Sequence, residues 1–434
     1  MGQQKTLQVM GVEKNIMRKK VLVRAPLLTQ SGYGEHSRFI IRALRSREDL
    51  FDIYLEPVAW GQTGWVSRKS EENDWYNKKI AKTAVYVREG SPQFDISMQV
   101  TIPNEWEALA PINIGVTAGI ETTKVDPVWL EKANMMDKII VVSEHAKRGF
   151  METSYIGTHK QTGQQKEIKC ETPIEVVGYP VRDYKPADIE FDFEHDFNYL
   201  VMAQWSQRKN IENTIRWFVE ENHDQEVGLV LKTSVRNGSL GDRKATEERI
   251  ERLLSDFKDR VCSIYLLHGT MGPEEISALY KHPKIKACIG LAHGEGFGLP
   301  LYEAAYNSLP VITPGWAGPC DFLYMPQTNG KAKAAFAEVN FDMAPVQKES
   351  HWKGVIVPDS MWCYPHQGSY KMRLRQVRKN YSKWKKKAKQ LNKYLRETFS
   401  QEQQNEKVVN AVYHRNKLDG EVGDMFANLM AGNS

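Results

Sequence analysis

The sequence contains no uninterrupted apolar run close to the roughly 20 residues a helix needs to span a bilayer. No basic-then-apolar leader opens it either, so neither a membrane-spanning nor a secreted protein is expected. Cysteine is scarce: Cys170, Cys262, Cys288, Cys320 and Cys363 are the five in 434 residues, and no two form a CxxC pair. That excludes a disulfide framework and a paired-thiolate zinc site, and it reads as a reduced, cytoplasmic chain. Acidic residues are missing altogether between Lys371 and Arg396, where twelve basic residues stand. The rest of the chain holds 47 basic against 54 acidic residues, so the net charge of +5 is a local excess. No Asp-x-Asp pair stands near a strand end. The acidic stretch EFDFEHDF, with Asp192, Glu194, His195 and Asp196, falls among linker residues and reads as solvated, so no metal is expected. The opening MGQQKT places Gly2 and Thr6 at the spacing of a loose myristoylation pattern that many unrelated chains match.

What is present is ordinary for a soluble globular protein, 41% hydrophobic and 26% charged, and the length suggests two or three domains. KVLVRAP, closed by Pro26, is a short buried-strand pattern, and TQSGYGEHSRFIIRAL follows as a glycine-rich turn running into helical spacing at Phe39, Ile40, Ala43 and Leu44. Further strands are expected at 51–58, 95–100, 112–117 and 138–142, with Ser143 capping the next helix. The alternation breaks at GYPVRDYKPADIEFDFEHDF and restarts at FNYLVMAQ. From there VGLVLKT, SIYLLHG and IKACIGLA alternate with helical stretches. The expected architecture is α/β: two doubly wound, Rossmann-like domains, 1–185 and 186–370, followed by a basic helical region, 371–434. Sheets of this kind bind ligands at the C-terminal ends of their strands, which places the site in the cleft between the domains.

The stretch LAHGEGFGLPLYEAAYNSLPVI is the most informative. IKACIGLA reads as a strand and LPLYEAAYNS as a helix, so HGEGFG is the turn between them. Glycines let that turn approach a ligand, and the helix start offers free N–H donors to an anion such as phosphate. Glu303 lies one turn into the helix, eight residues after Glu295, where a carboxylate can accept two hydrogen bonds from a vicinal diol. Glu295 would then bond the hydroxyls of whatever the phosphate carries, and a sugar fits. Lys232 ends VGLVLKT as a second cation at a strand's C-terminal edge.

HGEGFGLPLYEAA, with its E-x7-E spacing, resembles the nucleotide-sugar motif of the retaining glycosyltransferases of family four, which have the GT-B fold. SGYGEHSR resembles that family's N-terminal glycine-rich loop. NIGVTAGIETTKVDPVWLEKANMMDKIIVVSEHAKRGF, IEVVGYPVRDYKP and MAQWSQRKNIENTI are similar to the segments that end its first domain, lead into its linker and open its second domain. The resemblance implies that Glu303 holds the nucleotide ribose and Glu295 the transferred sugar. The amides of Gly296, Phe297, Gly298 and Leu299 would lie beside sugar and phosphates, and Gly32 and Gly34 near the pyrophosphate. The family's phosphate-binding lysine matches Lys209, whereas its arginine position holds Gln204, and Arg208 supplies charge nearby. Where relatives place a histidine near the sugar, this chain has TAGIETT, so Glu121 occupies that neighbourhood as an acceptor contact or a fold-holding carboxylate. Tyr33, Trp60, Trp65, Trp75 and Tyr76 could stack on an acceptor.

The function so implied is front-face, retaining, metal-independent transfer of a hexosyl or pentosyl group from a nucleotide sugar. The departing phosphate helps to take the acceptor proton, and Lys209 and Lys232 stabilise the leaving diphosphate. The acceptor stays open among glycan, lipid-linked and protein hydroxyls. A second class is a phage-type enzyme that glycosylates hydroxymethylated or hydroxylated DNA bases, favoured by the basic stretch. A third is a catalytically silent nucleotide-sugar-binding protein, against which the intact Glu295, Glu303 and Lys209 argue. Within 371–396, Val377, Tyr381, Trp384, Ala388, Leu391 and Leu395 recur at helical spacing, which predicts one amphipathic helix with Lys379, Lys383, Lys386, Lys387 and Lys393 on other faces. That surface reads either as a solvated face or as a dock for a polyanion, DNA or an anionic membrane.

Overall fold

The computed structural model describes residues 18–413, apart from 62, 67–68, 91, 159–162, 237 and 328–329. The MGQQKT opening and the end of the basic region after residue 413 lie outside the described residues.

Two six-stranded sheets organise the molecule. The first contains β1 (Lys19–Ala25), β2 (Phe51–Pro57), β3 (Ile96–Val100), β4 (Ile112–Thr117), β5 (Lys138–Val141) and β6 (Ile174–Val176), in the spatial order β2-β1-β3-β4-β5-β6. All of its pairings are parallel. The second contains β7 (Asn198–Met202), β8 (Gly228–Lys232), β9 (Ser263–Leu267), β10 (Ile285–Ile289), β11 (Val311–Pro314) and β12 (Ala337–Val339), in the order β9-β8-β7-β10-β11-β12. It too is parallel throughout. In both sheets the order reverses beside the strand that opens the domain, which is where a doubly wound fold leaves its ligand crevice.

The strands read as continuous apolar runs because helices cover both faces of each sheet. β3 is buried at every position, and β7 and β8 at all but the last. Residues 178–197, between the sheets, form neither helix nor strand, as their prolines and acidic residues suggested.

The basic region does not form one helix. Gln367–Lys379 ends where Asn380 adopts φ −119°, ψ 39°, outside the helical well, and Tyr381–Thr398 starts anew. Asparagine competes with the helix through its own side-chain hydrogen bonding, so it is a natural break point. The apolar stripe is therefore shared: Val377 packs with Tyr370 and Leu374 in the core of the second sheet, whereas Leu391 and Leu395 pack in the cluster containing Tyr302 and Tyr306. A further helix, Gln401–Val412, capped by Ser400, lays Val408, Val409 and Val412 into the same cluster as Phe39, Ile40 and Ile41 of the N-terminal half. Burying each such aliphatic side chain stabilises by about 1.5–3 kcal/mol. The helix Gln401–Val412 thus staples the second domain to the first. Among the described residues no helix is long and apolar enough to cross a membrane.

Candidate active site

Three segments converge at the C-terminal ends of the second sheet, opposite the C-terminal end of β4. The turn 290–298 leaves β10 and runs into the helix Leu299–Tyr306, with Gly298 at φ +94° as the residue before its first turn. The short 3-10 turn Gln207–Lys209 follows β7 and ends at Asn210 in the left-handed region. From the first domain comes the loop 118–121.

Glu295 does not stand alone in its glycine cluster. One of its carboxylate oxygens accepts from Lys209 Nζ at 2.5 Å, and the other from Arg208 Nη1 at 3.2 Å. Arg208 also donates to Gly294 O at 2.8 Å, and its Nη2 lies 3.2 Å from Glu121 across the domain boundary. Burial works against charge on Glu295, but Lys209 and Arg208 more than offset it and hold its pKa below the usual glutamate value. Burial lowers the pKa of Lys209 despite Glu295, while Arg208 stays raised because Glu121 and Glu295 outweigh its burial.

Glu303 sits in a different environment. Tyr280 Oη lies 3.1 Å from its carboxylate and 2.9 Å from Pro300 O. Burial raises the pKa of Glu303 to about 7, and Glu35, at the start of the helix Gly32–Arg45 in the opposite domain, adds to the rise. Among the described residues no cation offsets it. The two glutamates of the motif therefore differ: Glu295 is ionised and neutralised, whereas Glu303 is poised between charged and neutral.

The glycines of the turn answer to the other domain as well as to any ligand. A Cβ on Gly294 would lie 2.0 Å from Glu121 O, and one on Gly296 would lie 2.4 Å from Ala118 O. Ser143, which caps the helix Glu144–Met151, also donates its hydroxyl to Gly296 O at 2.6 Å, and Glu144 N donates to Asp321 at 2.7 Å. The Phe297 side chain turns away into Tyr179, Tyr302 and Phe322. Among the described residues the N–H groups of Gly296, Phe297, Gly298 and Leu299 donate to no protein acceptor, which leaves a row of free donors at a helix start.

The remaining candidates are placed less centrally. Lys232 directs its Nζ to Gly269 O at 2.5 Å and does not join the Glu295 cluster. Gln204 reaches toward Val235 O and Arg236 O at 3.3 Å. A Cβ on Gly34 would collide with Thr29 O at 2.1 Å, whereas one on Gly32 meets nothing within 4 Å. Tyr33 bonds Thr117 Oγ1 at 2.8 Å and accepts from Ala118 N, which pins the strand end that carries Glu121. Its ring lies 4.3 Å from Trp60. Tyr76 is a core residue, Trp75 is packed by Arg45 and Lys79, and Trp65 is 55% exposed. No group of three or more histidine, cysteine or carboxylate side chains among the described residues is arranged to hold a metal. Tyr280 and Asp321 carried no sequence signal, and Ser143 only that of a helix cap, because only the fold brings them to the site.

No protein-family model matches the chain, and no curated protein matches it by sequence. Solved structures do. The sucrose-phosphate synthase of Thermosynechococcus elongatus is 12% identical, with 96% of this chain and 100% of that one covered at a TM-score of 0.55. HepE of Anabaena, in complex with UDP and glucose, is 12% identical over 91% of this chain and 99% of that one, also at 0.55. OtsA, without ligand, is 9% identical over 91% and 99%, at 0.56. TarM of S. aureus is matched over only 55% of its length, at a TM-score of 0.45. The likenesses to sucrose-phosphate synthase, HepE and OtsA, with the two parallel sheets, define the GT-B fold.

Proposed function

We propose that the protein is a retaining glycosyltransferase that moves a hexosyl or pentosyl group from a nucleotide sugar to an acceptor hydroxyl. The observation that carries this reading is the placement of Glu295 and Glu303 at one strand-to-helix turn, with Lys209 and Arg208 on Glu295 and a row of free amides in the turn between the two glutamates. In this reading Glu303 accepts from the ribose hydroxyls and the free amides of 296–299 meet the diphosphate. Lys209 and Arg208 take up the charge that builds on the leaving group as the glycosidic bond breaks. Glu295 orients the sugar. HepE, whose structure holds UDP and glucose, shares the fold and so agrees with a nucleotide-sugar donor.

Front-face transfer asks for no base beyond the departing phosphate, and the cations present can neutralise that phosphate without a divalent ion. Transfer is therefore expected to proceed in EDTA. Activity abolished by EDTA and restored by magnesium or manganese would overturn this part of the reading. The first experiment is to incubate the purified protein with a panel of nucleotide sugars and measure which is slowly hydrolysed. Hydrolysis of none would reject the enzyme and leave a binding protein. A second acceptor class, modified bases in DNA, is favoured by the lysine-rich helix Tyr381–Thr398, and supplying hydroxymethylated DNA in the same assay tests it.

A further inference from the structure

Among the four charged groups around the turn, Lys209, Arg208 and Glu295 belong to the second domain, and Glu121 reaches them from the first. The cluster as it stands is balanced, two cations against two carboxylates. A diphosphate entering it brings further negative charge, and one carboxylate must yield its cation. Three ion pairs hold the cations, and Arg208–Glu295, at 3.2 Å with side chains 26% and 18% exposed, lies between the other two in exposure. Lys209 and Glu295 meet at 2.5 Å with side chains 16% and 18% exposed. Arg208 and Glu121 meet through one contact at 3.2 Å with side chains 26% and 25% exposed. A longer, wetter, single-contact pair is the weaker one and the first to exchange. Arg208 can give up Glu121 and remain anchored through Nη1 to Gly294 O and Glu295, so its guanidinium need only turn its second nitrogen toward the phosphate.

Resting on the glycosyltransferase reading, we propose that Glu121 is a positioning residue that holds Arg208 across the domain boundary and surrenders it to the donor diphosphate. It thereby sets donor affinity and links donor binding to the seating of the two domains. This differs from an acceptor contact, which would leave nucleotide affinity alone, and from a fold-holding carboxylate, whose loss would weaken everything. The backbone of Glu121 lies against Gly294, so exchange of its side chain is felt at the turn that carries Glu295.

The test is a double-mutant cycle on the full chain, with UDP affinity measured by calorimetry and UDP-sugar hydrolysis measured alongside. Glu121→Gln keeps shape and removes charge. It should tighten UDP binding by roughly threefold to tenfold, the range expected for one coupled pair, while lowering hydrolysis per bound donor. Arg208→Ala should weaken UDP binding, and adding Glu121→Gln to it should change nothing further. Glu121→Asp should restore the parent affinity in part. Unchanged or weaker UDP binding in Glu121→Gln, or additive effects in the double mutant, would overturn the proposal while the parent's binding leaves the glycosyltransferase reading standing. A parent that binds no nucleoside diphosphate of the panel sinks that reading, and the proposal with it. Melting temperatures of all variants separate misfolding from these outcomes.

Discussion

Glu303 makes the most specific prediction at the scale of one residue. Its pKa of about 7 is set by burial without a cation. A diol needs the carboxylate form, so UDP affinity should fall as pH drops from 8 to 6, by up to about tenfold per pH unit. Stability has the opposite sign. The folded-state pKa lies above the ordinary 4.5, so the neutral acid stabilises the fold and that contribution is lost as pH rises through about 7. Glu303→Gln should therefore melt higher than the parent at pH 8 but not at pH 5, and lose the pH dependence of UDP binding. Glu303→Ala should weaken binding by no more than about 1.5–3 kcal/mol for each charge-assisted hydrogen bond lost. Glu295→Ala should reduce turnover more than UDP affinity. Equal loss of affinity in Glu295→Ala and Glu303→Ala, by calorimetry, would reject this division of roles. The spacing of the two glutamates is local and so was legible; the opposite directions of their pKa shifts were not, because the partners come from residues 208, 209 and 280.

At the scale of an element, the turn 290–298 behaves as a bearing between domains. Gly296→Ala would put a Cβ 2.4 Å from Ala118 O, a backbone atom that cannot move cheaply. That variant should lose several degrees in melting temperature and its UDP binding together. Gly32→Ala is the contrasting case, with no neighbour within 4 Å. It should melt within about 0.5 kcal/mol of the parent, yet bind UDP-sugar more weakly if the loop approaches the pyrophosphate; full affinity would remove Gly32 from the site. Glycine spacing announced a close approach, but what approaches, a ligand or the opposite domain, depends on contacts more than 150 residues apart, as between Ser143 and Gly296. The helix break at Asn380 was missed for a related reason: the apolar period continues through it, while its two halves pack on different cores.

At the scale of the whole molecule, the basic helix and the cleft occupy different places. Tyr381 packs against Phe197, which precedes β7, and lies under Lys286 near the start of β10. The lysine-rich end therefore sits at the N-terminal edge of the second sheet, and Glu295 follows the C-terminal edge. Lys383 and Lys386 are exposed, and Lys387 lies over Trp384 at 4.7 Å. Among the described residues none of these three lysines pairs with a carboxylate. Replacing all three by glutamine should abolish DNA or anionic-vesicle binding that is steeply salt-dependent, with each phosphate contact adding close to 0.9 to the slope of log affinity against log salt. Sugar-nucleotide hydrolysis should be unchanged. Binding equal to the parent's would mark the helix as a solvated face.

Patterns that are local in the chain determined much of this protein by themselves: apolar runs that alternate with helical spacing, a proline-rich break near 185, and a glycine turn with glutamates at 295 and 303. Local backbone and solvation preferences write such features directly into residue order. Only the tertiary structure decided which charges meet. Among the described residues Glu121 reaches Arg208, Glu303 is left without a cation, and the helix Gln401–Val412 returns to the first domain, because burial and pairing are set by segments far apart in sequence. The energy of a buried charge depends on those neighbours far more than on its own place in the chain.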